Sequence, residues 1–84
     1  MKTYLGEAYL PRSRAAALDE AVKRLEAAAG SPPDGAPAVR YVRSTFVPDD
    51  ETCFHVFEAI SADAVREAGE RAFVTFDRIV EAVE

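Results

Sequence analysis

The stretch AVRYVRSTFVPDDETCFHVFEA, residues Ala38–Ala59, decides the fold. Two runs rich in β-branched and aromatic residues, Ala38–Val47 and Thr52–Ala59, flank the polar insert PDDE. Such a pair around a short, proline-bearing turn reads as a β-hairpin. Toward the C-terminus, Ser61 is a natural N-cap and Asp63 suits the positive end of a helix dipole. Val65, Ala68 and Ala72 then share one helical face, with Glu67 and Arg71 spaced as an outer i,i+4 pair. The closing segment VTFDRIVEAVE reads as a last strand, although Ile79–Val83 also fits a helical turn. Toward the N-terminus, GSPPDGAP (Gly30–Pro37) is a surface loop too short to separate domains. Before it, Ser13 is placed to cap a helix ending at Gly30, with Leu18, Val22, Leu25 and Ala29 inward and Asp19/Lys23 and Glu20/Arg24 as outer pairs. Lys2–Leu10, stopped by Pro11, supplies a first strand. The order is β-α-β-β-α-β across residues 1–84, an α+β single domain: the ferredoxin-like fold, a four-stranded antiparallel sheet with both helices on one face.

With PDDE as the turn, Val47 faces Thr52, and Phe46/Cys53, Ser44/His55 and Val42/Phe57 follow on one side of the hairpin. The opposite side carries Val47, Thr45, Phe54, Arg43, Val56, Tyr41 and Glu58. Large apolar residues on both sides contradict the alternation expected of a sheet with one wet face. Both helices are already used, so a second copy packed sheet to sheet is the expected cover, making a homodimer.

Composition supports a folded chain. The 84 residues are 49% hydrophobic and 30% charged, and a domain this small gains from association. The net charge of −5 and interspersed charges leave no basic stripe for nucleic acid or an anionic membrane surface. A single cysteine, an N-terminus unlike a signal peptide and the absence of a ~20-residue apolar run point to a cytoplasmic protein with no membrane span.

The only cysteine and the only histidine stand two apart as Cys53-x-His55. On a strand they share a face with Cβ atoms roughly 7 Å apart, from a rise of ~3.4 Å per residue. That spacing can serve one metal only if both side chains lean together, and a tight site needs three or four donors. Further ligands would come from carboxylates such as Glu7 or Glu58, or from a symmetry mate. Without them, Cys53 reads as a small buried hydrophobe and His55 as an imidazole bonded to Ser44. Cysteine nucleophile chemistry lacks an orienting third residue. Glu7 and Glu58 as a carboxylate pair compete with an ion-pair network drawing on Arg43, Tyr41 and Tyr9. No glycine-rich phosphate loop is present.

The run RYVRSTFVPDDETCFHVFEAISADAVREAGERA, with YLGEAYLP before it and FDRIVEAVE after it, resembles a family of small uncharacterised bacterial proteins labelled nickel-binding-protein-like. The resemblance covers nearly the whole chain outside the Pro/Gly loop and is most specific over Arg40–Ala59. It implies a ferredoxin-like fold, usually dimeric, and nickel as a possible metal. Cys53 and Glu7 match the family's pattern, whereas His55 stands where relatives often carry a small or apolar residue. The metal candidates are therefore His55, Cys53 and Glu7. Two functions compete: a small dimeric module binding nickel or a small ligand, and a cofactor-free enzyme of the dimeric α/β barrel type with substrate between sheet and helices. A partner-binding accessory domain is a third.

Overall fold

The computed structural model describes residues 1–83; Glu84, which the reading of a last strand included, lies outside them. Strand β1 (Lys2–Tyr9) leads through a 3-10 segment, Arg12–Ala17, into helix α1 (Leu18–Gly30). Strands β2 (Val39–Val47) and β3 (Thr52–Ala59) follow, then α2 (Ala62–Arg71) and β4 (Arg78–Ala82). The sheet order is β2-β3-β1-β4 with every pair antiparallel, the ferredoxin-like arrangement expected from the element order.

Helix α2 starts as anticipated: Ser61 Oγ accepts from the Ala64 amide at 3.2 Å, and Ala64, Val65, Ala68 and Ala72 are buried. The first helix departs from expectation. Ser13 caps nothing; the chain leaves Pro11 in a 3-10 segment, kinks at Arg14 and becomes α-helical only at Leu18. The outer pairs also differ. Arg24 reaches past Glu20 to donate from Nε to the Ala72 carbonyl at 2.8 Å, and Arg71 donates to the Ala28 carbonyl at 3.3 Å. Each arginine thus stitches its own helix to the other, using carbonyls near helix ends that lack intrahelical donors.

Val47/Thr52, Phe46/Cys53 and Ser44/His55 pair as the hairpin reading required, but Val42 does not face Phe57. A bulge between Tyr41 and Arg43 brings Tyr41 opposite Phe57 instead. One extra residue flips the alternation upstream of it. Tyr41 therefore joins the helix-side face, its ring 5.6 Å from that of Phe57 and edge-on to it.

The last strand begins at Arg78 rather than Val74, because Phe76 leaves the sheet to fill the space between sheet and α2. Its ring would lie 2.8 Å from a Cβ at Gly6 on β1 and 2.4 Å from one at Gly69 on α2. The turn into this segment closes with Val74 N–H on Gly69 O at 2.8 Å and Phe73 N–H on Glu70 O at 3.1 Å, the Schellman pattern that usually places glycine at the left-handed position. Here that residue is Phe73, at φ 58°. Phe73→Gly is expected to raise stability by roughly 0.5–1 kcal/mol, since relief of a left-handed side chain outweighs the extra freedom of the unfolded chain; a thermal melt reads the difference.

Candidate functional site

Alternation along β3 turns Cys53, His55 and Phe57 toward the helices and Phe54, Val56 and Glu58 away from them. Along β1 it turns Gly6 and Ala8 inward and Glu7 outward. His55 pairs with Gly6 and Cys53 with Ala8, whereas Glu7 pairs with Phe54. Glu7 is therefore on the opposite face of the sheet from Cys53 and His55, where it holds Arg78 Nε at 3.1 Å. The three metal candidates do not converge. Glu58 also stands apart from Glu7, opposite Thr3, and pairs with Arg40 at 3.0 Å. Among the described residues, neither a carboxylate pair nor a network through Arg43 and the tyrosines forms. Among the described residues, no three His, Cys, Asp or Glu side chains are grouped to hold a metal.

His55 is 2% exposed. Its Nδ1 lies 2.6 Å from Ser44 Oγ, which lies 2.6 Å from Tyr41 Oη. This chain of bonds depends on the bulge, because residues three apart on a regular strand point to opposite faces. Burial pushes the His55 imidazole down to about 4, so the ring is neutral at neutral pH. Where Ser44 donates to Nδ1, the ring proton sits on Nε2. Burial pushes the Cys53 thiol up, and its Sγ is 3.9 Å from an Nδ1 already engaged by Ser44. A protonated thiol beside an occupied nitrogen is neither an activated nucleophile nor a ready metal ligand.

His55 and Cys53 border a cavity of about 240 Å³ between the sheet and α1. Leu10, Leu18, Ala21 and Val74 give it mainly apolar walls, and Arg24 and the exposed Phe73 stand at its border. A larger depression of about 500 Å³ lies outside the end of α2, against Arg66 and Glu70, away from both His55 and Cys53. Cys53 and His55, the pair that stands out in the sequence, line this smaller cavity of about 240 Å³ together with Arg24 and Phe73. Arg24 is hidden in the sequence within an apparent surface pair, and Phe73 carries no local signal because nothing in GERAF marks a left-handed residue.

Fold and cavity together define a small ferredoxin-like α+β protein with one histidine and one cysteine bordering a pocket under its first helix. The family model described as nickel responsive protein SCO4226-like matches residues 15–82, and the chain belongs to this family. Among solved structures, that of SCO4226 from Streptomyces coelicolor A3(2) superposes with a TM-score of 0.79, covering 98% of this chain and 96% of that chain at 22% identity, a likeness that carries the fold. Comparison with curated proteins gives no match. No helix among the described residues is long and apolar enough to cross a membrane.

Proposed function

We propose that this chain is a binding module whose ligand site is the cavity bordered by Cys53 and His55, and that two copies join through the open sheet face. The observation that carries the reading is the cavity itself: about 240 Å³, apolar-walled, with one neutral imidazole in its lining. Sites for small molecules combine apolar walls with a few convergent polar groups, and those for drug-sized ligands run to 300 Å³ or more. A smaller ligand is implied. The test is titration of isotope-labelled protein with benzamide, a neutral ring-bearing probe. Saturable NMR shifts centred on Ala21, Val74 and the His55 ring support the reading; scattered or absent shifts at tens of millimolar, with the anion benzoate as well as with benzamide, overturn it.

Nickel, the metal in the family description, would meet His55 and Cys53 here but no third protein donor among the described residues, and the thiol would first have to lose its proton. Binding is therefore expected to be weak and to run mainly through His55. Submicromolar, stoichiometric Ni²⁺ uptake that vanishes in both His55→Ala and Cys53→Ser would reverse that assessment. A cofactor-free enzyme is the second reading, favoured by the Tyr41–Ser44–His55 chain as a proton path. An imidazole near 4 is a weak base at neutral pH, so binding is the better-supported function.

The homodimer rests on a row of paired residues across the open face: Val80 beside Leu5 and Leu5 beside Val56, with Phe54 adjoining. Arg43, Thr45 and the Glu7–Arg78 pair border this stripe, the apolar centre and polar rim of an isologous contact. Light scattering at tens of micromolar should give twice the monomer mass, and Leu5→Lys should return it to the monomer. A wild-type monomer at that concentration sinks the dimer.

A further inference from the structure

We infer that the cavity takes a small monocarboxylate, its apolar body between α1 and the sheet and its carboxylate on Arg24. The inference rests on the cavity being the ligand site and adds the chemical class of the ligand.

Among the described residues, Arg24 is the one permanently charged group bordering the cavity. Its Nε is spent on the Ala72 carbonyl at 2.8 Å, which fixes the plane of the guanidinium while leaving its terminal nitrogens. The ion pairs found among the described residues join Lys2 to Glu81, Arg40 to Glu58 and Arg78 to Glu7, and none includes Arg24. Glu20, one helical turn earlier, does not neutralise it. A half-buried guanidinium with one nitrogen anchored and no carboxylate partner matches a planar two-oxygen anion, because its terminal donors already lie in one plane. No Asp or Glu among the described residues lines the cavity, so no carboxylate there opposes an anion. Where Ser44 donates to Nδ1, the His55 Nε2–H offers a further donor.

Phe73 supplies the second, independent observation. It is 86% exposed and held at φ 58° in a turn that glycine would satisfy with less strain. An aromatic ring kept in solvent at conformational expense, beside a small apolar cavity, is suited to closing over a ring-bearing ligand.

Benzoate and benzamide have nearly the same shape and differ in charge. Titrating each while following the His55 ring and Arg24 Nε–H NMR signals is expected to show benzoate binding about tenfold more tightly. Arg24→Lys, which keeps the charge without the planar fork, should retain part of that preference, and Arg24→Gln should abolish it. Phe73→Gly should weaken both probes while the protein melts no lower than wild type, separating a binding role from a structural one. Equal affinity for the two probes would overturn the carboxylate while leaving the cavity as a ligand site. Binding of neither at tens of millimolar would overturn both, and an unaltered benzoate preference in Arg24→Gln would remove Arg24 from the site.

Discussion

Acidification from about pH 6.5 to about pH 4 is expected to remove about 3 kcal/mol of unfolding free energy through His55 alone. The ring is 2% exposed, packed 5.8 Å from the Phe76 ring and bonded at Nδ1 to a neutral hydroxyl. Burial therefore disfavours its cation and sets the folded value near 4, against an ordinary 6.5. Above 6.5 both folded and unfolded chains hold a neutral ring, and the full stability is present. As pH falls below 6.5 the unfolded chain takes up a proton that the folded chain refuses, so stability declines until the folded ring also titrates near 4. Many carboxylates titrate in the same range, so the measurement is a difference. Urea unfolding of wild type and His55→Asn across this range should give a gap between the two that shrinks by about 3 kcal/mol on acidification. A gap constant to within about 0.5 kcal/mol would show that the imidazole is not held neutral by the fold.

Gly69→Ala is expected to destabilise the protein by about 1–3 kcal/mol, against the usual direction of that substitution in a helix. Alanine in place of a helical glycine ordinarily gains about 1 kcal/mol. Here the new Cβ would meet Phe76 Cε2 at 2.4 Å and the Val74 carbonyl oxygen at 3.0 Å. The ring cannot retreat, because its other side lies where a Cβ on Gly6 would be 2.8 Å away. Two bare backbones clamp one aromatic ring, so any added atom forces α2 off the sheet. Gly30→Ala is the matching control: nothing lies within 4 Å of its Cβ, and it should be neutral or slightly stabilising. Chemical denaturation of both variants decides the matter, and a Gly69→Ala protein as stable as wild type would remove the clamp from the account.

The pattern of apolar and turn-forming residues was enough to establish the element order, the topology and most of the hairpin register. PDDE can only be a turn, and β-rich runs on either side of it can only pair as neighbours once both helices are assigned. The shared face of Cys53, His55 and Phe57 followed from that register, as did the Ser44–His55 contact, but not that this face is the one the helices cover. Local pattern could not show the bulge at Val42, since a bulge is chosen by how the strand twists over its partner and not by the residue at the site. That one residue brought Tyr41 onto the same face as Ser44 and made the bonded chain to His55. Nor could spacing reveal that Glu7, so close in pairing to Cys53 and His55, lies across the sheet from them, until β1 was set beside β3. Arg24 and Phe73 came to border one cavity only when the end of α2 was brought against α1. Periodicity reports which face of its own element a residue occupies. What that face meets is decided by long-range packing, and a cavity is a property of the space between elements.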